Sequence, residues 1–518
     1  MSFRISAAGA RRSALLAAPG RACRLVLLGW LSAAPGWALE PRSGTEPDVL
    51  RQPAQATNVV DAFDQSTGFD LHFTLGYQHT WKRAGISREL ALEGADARGS
   101  IPRFHVADYA EDTSRLDARA ELGLYHDLAL IVRVPIILSR SATLRGGELP
   151  SGALDGAPGE PLFTLPFRSP NRSGVEYLAM GVDWGILNQY REPSEPTLTI
   201  GAEGRFSVSE PMHACGPGAS DADGRTTQVS CAQPADINRD GVSGQFVTDV
   251  GQGRSESLEG NFASQGRRAG VSRGTTGLDL HAAVSRRFQQ IEPYLGFGML
   301  LEHPNESSDF GPSRPWQEAL GTRAAFSIGA EIMPWEVVEQ FQRLSLDLRF
   351  TGTYRSAGRD YSELFDALGS SSAPSYRRPN FAGYMGNPDA LTRAQFPSVI
   401  DPDSERVFTT GITNVQAYGA YALRLMARWQ AGRYVHFDLG GGLELTERHV
   451  ITEGRLCDPD RSSDLAHAGP CLAGEAGAQR PLGTPDPSYR AEVEQPGRRF
   501  IVDTASTLDA WVGATVMF

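Results

Sequence analysis

Beyond residue 38 the sequence has no apolar run approaching the ~20 residues that a membrane-spanning helix requires, and its mean hydropathy is −0.29. Helical insertion into a bilayer is therefore excluded for that part of the chain. Cysteine is scarce, at five in 518 residues, and none stands in a CxxC arrangement. There is no Walker A sequence and no HExxH, and Gly440-Gly441-Gly442 falls inside an alternating apolar run, where it cannot cradle a phosphate. A basic excess is also missing: the formal charge is −12, which disfavours nucleic acid as a partner. A polar mean hydropathy does not exclude a membrane protein that crosses with strands. Such a strand needs only ~10 residues with alternate ones apolar, because one face meets lipid and the other a polar interior.

The first 38 residues read as a segment apart. They carry Arg4, Arg11, Arg12, Arg21 and Arg24 and no acid, then an apolar stretch Leu25–Leu31, then small residues up to Gly36-Trp37-Ala38. The apolar stretch is far too short to anchor in a bilayer. The pattern predicts a secretory signal peptide over 1–38, cleaved after Ala38. Its removal leaves 44 basic against 61 acidic side chains, a formal charge of −17. Residues 39–68 are expected to form a periplasmic N-terminal segment, and 69–518 the folded body.

Period-two alternation begins at Phe69, where Phe69, Leu71, Phe73, Leu75 and Tyr77 oppose Asp70, His72, Thr74, Gly76 and Gln78. It recurs through Leu116–Leu124 and Leu130–Leu138, then near 175–187, 197–209, 277–288, 291–303, 323–333, 343–355, 414–429, 434–447 and 504–518. That makes twelve expected strands. The connections sort by parity. Those after strands two, four, six, eight and ten are short, such as His126-Asp127 and Gln289-Gln290, and the others are long. An even number of antiparallel strands with short turns at one end and long loops at the other predicts an all-β, up-and-down transmembrane barrel.

At the end of the chain Leu508, Ala510, Val512, Ala514, Val516 and Phe518 share one face. This segment resembles the C-terminal β-signal of bacterial outer-membrane β-barrel proteins, with Phe518 as its aromatic hallmark. The resemblance implies export through the periplasm, recognition of Phe518 by the barrel assembly machinery, and residence in outer-membrane lipid.

If the apolar face meets lipid, the other lines the interior. The lining is expected to include Asp117, Arg119, Glu121, Arg133, Glu203, Arg205, Arg287, Glu292, Asp347, Arg349, Arg424, Arg428, His436 and Asp438. Keeping these inward, with the shortest turns, sets Arg287 opposite Glu292, Glu121 opposite Arg133 and Arg428 opposite His436. The first two would be ion pairs, each contributing roughly 0.2–1 kcal/mol. Inward glycines, among them Gly201, Gly329 and Gly440, are expected to leave room for water or to let strands bend.

Three long loops, 211–275, 359–413 and 452–497, are rich in Gly, Pro and Asp. Cys215, Cys231, Cys457 and Cys471 lie in these loops, and an even count in an exported chain suggests disulfides; of the three pairings, the local one, Cys215–Cys231 with Cys457–Cys471, is preferred. Asp236, Asn238 and Asp240 followed by Gly241 open like a calcium loop, although the twelfth position is Val247 rather than a bidentate Glu. Ca2+ is thus a candidate ligand of the 211–275 loop, and no other cofactor is implied. His72, His79 and His105 lack an accompanying serine motif, so no enzyme is expected. The leading expectation is a pore or transport channel for small hydrophilic solutes. The alternative is a closed barrel whose braced loops are a scaffold for a protein or surface-polymer partner.

Overall fold

The computed structural model describes residues 54–62, 70–90, 101–147, 149–216, 230–231, 233–234, 260–261, 268–305, 308–310, 320–377, 410–455, 457–458, 471–473, 480–485 and 489–518. The expected signal peptide, residues 1–38, and the residues Asp236, Asn238 and Asp240 lie outside this set.

All twelve expected strands form, and they close into one antiparallel barrel: β1 Leu71–Glu89, β2 Arg103–Tyr125, β3 Leu128–Arg145, β4 Leu178–Leu187, β5 Thr197–Phe206, β6 Thr275–Ser285, β7 Ile291–Pro304, β8 Arg323–Val337, β9 Gln342–Arg355, β10 Tyr418–Ala431, β11 Val435–Thr446 and β12 Ala505–Met517. Each strand pairs with its neighbours in sequence, and β12 pairs with β1 from His72↔Met517 to Arg83↔Ser506. Side chains cross this closing seam as well. The Thr74 and Thr515 hydroxyls lie 2.7 Å apart, and Thr80 donates to Asp509 at 2.7 Å. Closure removes the edge strands that would otherwise expose unpaired backbone to lipid.

The outer face is apolar around the circumference. Phe73, Leu75, Val182, Phe297, Phe326, Leu348, Leu425, Leu439 and Val512 are exposed there, which in water would be a severe liability and in lipid is the stable arrangement. Aromatic side chains gather at both margins of this band. Tyr125, Trp184, Trp335, Trp429 and Tyr434 are exposed near the short turns, and Phe206, Tyr354 and Tyr421 near the long loops. Two such girdles mark where the hydrocarbon ends.

β1, β2 and β3 run to 19, 23 and 18 residues, about twice the ~10 that a crossing takes. Their surplus projects beyond the band at the long-loop end. There the loops fold back over the mouth around a buried apolar core that joins Ile86, Val106 and Leu144 of the strands to Leu162, Phe163, Leu364, Leu368, Tyr376, Ile451, Val493 and Phe500. The long loops thus carry a packed cap. Two short helices, Phe365–Gly369 and Pro374–Arg377, lie in it.

Candidate functional site: the barrel interior and its two closures

Alternation along each strand puts the expected polar residues on the interior face, and most of them meet in ion pairs. Arg133 forks onto Asp117 (3.0 and 2.8 Å), and Arg119 reaches Glu121 at 2.8 Å. Arg205 bonds both Glu203 (2.9 Å) and Asp279. Arg349 meets Asp347 at 3.2 Å, and Tyr294 bridges them, donating to Asp347 (2.6 Å) and accepting from Arg349 (2.7 Å). Arg428 bonds Asp438 at 2.8 Å with His436 at 3.5 Å from the same carboxylate, while Arg424 stands 3.8 Å from Asp509.

The partners differ from those expected. Glu121 faces Ile131, and Arg133 faces Arg119, because an irregularity at Leu124 beside the two-residue turn offsets the ladder between β2 and β3. Arg428 faces Asp438 rather than His436, since the last paired residues are Gln430 and His436 and the turn is longer than the minimum. Arg287 stands opposite Glu292 as expected, in the register continued by Phe288↔Ile291, but does not bond it. Its guanidinium goes to Tyr190 (3.0 Å) and Glu336 (3.1 Å), and Glu292 instead accepts from Ser285 at 2.6 Å.

Gly201, Gly329 and Gly440 are not vacancies either. A Cβ on Gly329 would lie 2.4 Å from the Tyr294 hydroxyl, one on Gly201 2.1 Å from Asp183, and one on Gly440 2.4 Å from the Trp511 ring. These positions lack side chains because a neighbour's side chain occupies the space. At Gly201 the occupant is the His281–Asp183 pair, at 2.9 Å. Alternation alone does not show which neighbour leans across.

At the short-turn end the interior is filled by the chain itself. Residues 54–62, the described part of the expected periplasmic segment, bond to inward-facing side chains. The Gln55 amide donates to Glu331 (3.1 Å), and the Thr57 hydroxyl lies 2.7 Å from that of Ser285. Ala54, Thr57, Val60 and Ala62 are buried. The Asp61 carbonyl passes so close to inward Gly123 that a Cβ there would come within 1.9 Å of it. Only glycine admits the segment at that point.

The other end is held by buried charge. Arg172 forks onto Asp366 (2.9 and 2.7 Å), with its partner also accepting from the Cys215 amide at 2.9 Å. Arg88, 1% exposed, donates to four loop carbonyls, of Ala153, Asp155, Glu492 and Arg498, and stacks on Phe500. Lys82, the single lysine of the chain, rises from β1 to bond Glu363 of the cap at 2.7 Å. Burial raises the Glu363 pKa, but Lys82 and His449 outweigh it and hold the group below its ordinary value. Asp360 behaves likewise: burial opposes ionisation, while Arg273, Arg355 and Arg323 together keep its pKa well below the usual carboxylate range. Between cap and wall lies a cavity of about 90 Å3, lined by Lys82, Glu111, Arg140, Arg172, Glu363 and Asp366 among others.

The expected disulfide Cys215–Cys231 is present and ties two cap segments. Cys457 and Cys471 both belong to strands that pair with Arg480–Pro485, and their side chains lie outside the described set. The three histidines do not assemble. His72 is inward near the short turns, His79 lies 2.9 Å from Ser114 on the outer face, and His105 pairs with Asp108. Among the described residues no group of three metal-ligating side chains converges. Sequence reasoning missed Tyr294, Arg172, Asp366 and Lys82. Tyr294 and Lys82 are at inward positions by parity, whereas the cap residues sit in segments without periodicity.

No family model and no curated protein matches the chain. Among solved structures it is similar to an outer membrane channel from Pseudomonas putida F1, at 8% identity and a TM-score of 0.35 over 90% of this chain and 99% of the other. A Pseudomonas aeruginosa FadL homologue gives 9% and 0.30 over 94% and 97%, and the outer membrane protease OmpT of Escherichia coli 8% and 0.24 over 87% and 96%. Likeness at this level says nothing about activity. The architecture itself decides the class: a closed circle of twelve antiparallel strands, apolar and aromatic-girdled outside, charged and hydrogen-bonded inside, makes this chain a member of the general class of bacterial outer-membrane β-barrel proteins.

Proposed function

We propose that the protein is a gated, non-enzymatic transport barrel for small hydrophilic solutes, closed at rest by its own N-terminal segment and by its cap. The observation that carries this reading is the docking of residues 54–62. They sit among interior side chains through a few hydrogen bonds, to Glu331 and Ser285 among others. A few net bonds of about 0.5–1.5 kcal/mol each hold a segment reversibly. Arginines and carboxylates alternate along the wall, and such a lining selects polar solutes by charge and size.

The test is conductance in planar bilayers. The unaltered chain is expected to be quiet, and the chain lacking residues 39–62 and carrying Arg172→Met, which breaks the Arg172–Asp366 tie of the cap, to show discrete steps. Silence from both would overturn the proposal. A second reading, a closed surface scaffold, draws on the cap, whose core around Phe163, Leu364 and Phe500 gives the loops a fixed outer surface for a protein or surface-polymer partner. It predicts that the shortened chain stays silent while replacement of the cap loops abolishes partner binding.

A further inference from the structure

On the outer wall, above the apolar band, β12, β1, β2 and β3 together with residues 168–171 form a polar groove of about 960 Å3. Its lining is rich in hydroxyl and amide groups, including Ser139, Ser141, Thr143, Ser169 and Asn171, with Arg83, Arg145 and Arg168. These side chains are the outward set of strands whose lower portions face lipid. The change from apolar to polar is abrupt. Leu508 faces Trp81 in the ladder, and Ser506 faces Arg83 one outward step higher, about 7 Å along the strand. On β3, exposed Leu138 is followed directly by Ser139.

Within the groove the charges are unequally satisfied. Arg83 is bonded to Asp112 at 3.1 Å, and Asp108 is met by His105 at 3.1 Å. Arg145 and Arg168 are exposed, and among the described residues neither has an ion-pair partner. The groove therefore offers two uncommitted guanidiniums, which match phosphate oxygens in bidentate geometry, beside a row of hydroxyls suited to sugar hydroxyls.

We infer that this groove binds the phosphorylated saccharide headgroup of an outer-leaflet glycolipid whose acyl chains lie against the apolar band below. The height of the groove argues for a membrane-anchored ligand. An occupant touching Ser506 and Arg83 is a single outward step from lipid, so headgroup and chains are engaged together. The mixed lining argues for a sugar phosphate over a bare anion, because Asp108 and Asp112 would repel a simple anionic headgroup and accept hydrogen bonds from a saccharide.

The inference is independent of the transport reading and is tested with lipopolysaccharide added to the full chain in detergent, bound lipid being counted by native mass spectrometry. The double variant Arg145→Glu/Arg168→Glu is expected to lower affinity at least tenfold. Arg145→Lys/Arg168→Lys, which keeps the charge but not the bidentate fork, should fall between the parent and the glutamate pair, and both should keep the heat-modifiable migration of a folded barrel. If the glutamate pair does not fold, Arg145→Gln/Arg168→Gln serves with the same expectation. Glycolipid stripped of its phosphates should bind the unaltered protein as weakly as intact glycolipid binds the variant. Unchanged binding by the charge-reversed protein would overturn the inference. So would equal binding of phosphatidylglycerol, which would make the site a general anionic-lipid surface, or displacement of glycolipid by millimolar inorganic phosphate, which would make it a free-anion site.

Discussion

Substitution of Arg172 by methionine should loosen the cap while leaving the barrel intact. Arg172 and Asp366 are 5% and 8% exposed, and the guanidinium bonds both carboxylate oxygens. Arg172→Met keeps much of the side-chain volume but leaves Asp366 buried with the Cys215 amide as its remaining donor among those described. Removing one partner of a buried pair costs about 3–5 kcal/mol, because the other charge is stranded without solvation. If that loss falls on cap opening, the open population rises roughly 10²- to 10³-fold, at about 1.4 kcal/mol per factor of ten. Lys82 reports the opening. It is the only lysine in 518 residues, points inward from β1, and its ammonium is tied to Glu363 of the cap. An amine-reactive reagent followed by peptide mapping therefore reads cap opening at one site. Because the Lys82 side chain is 30% exposed with the cap closed, labelling should accelerate in Arg172→Met by at most that factor, and the double variant Arg172→Met/Asp366→Leu, which strands no charge, should return most of the way to the parent rate. Equal labelling rates in the parent and Arg172→Met would refute the view that this pair holds the cap. A double variant as fast as the single one would show that lost shape, not stranded charge, is the cause.

Other expectations follow from the same geometry. Gly123→Val should displace the N-terminal segment, since its first side-chain carbon would collide with the Asp61 carbonyl; in an Arg172→Met background planar bilayers should then show steps absent from Arg172→Met alone, and a quiet double variant would contradict the docking. Cysteines at Gly76 and Gly513, which face each other across the β12–β1 seam, should crosslink under mild oxidation; Gly76→Cys with Gly441→Cys, on strands that do not pair, should not. Asp360 and Glu363 have folded pKa values below their ordinary ones. Their contribution is thus complete above about pH 4 to 5 and is lost as pH falls toward the folded values. Protection factors of residues 358–377, corrected for the intrinsic exchange rate at each pH, should fall at pH 3 relative to pH 6, while those of β10 and β11 stay high; equal protection at both pH values would count against the charge latch.

The strands were legible because lipid on one side and polar contacts on the other impose a period of two, and each of the twelve alternating runs became a strand. Their full lengths were not. Above the band the outer face of β1, β2 and β3 turns polar, and alternation fades although the backbone remains extended. Register was hidden for a related reason: an irregularity such as that at Leu124 shifts every pair on the ladder, and no local residue preference announces it. The wall residues could be named by parity, as Asp117, Arg133, Arg428 and Asp438 show, but not their partners. The contacts that hold the two closures were not legible, because those segments lack periodicity. Residues 54–62 are extended and irregular, and the cap core gathers Leu162, Leu364 and Phe500 from segments hundreds of residues apart.

The proposed polar passage between two removable closures is tested most directly by solute entry into liposomes. The chain lacking residues 39–62 and carrying Arg172→Met should admit a pentose and exclude a tetrasaccharide, whereas the unaltered chain should admit neither. Liposomes that stay impermeable to the pentose with both closures disabled would contradict the account.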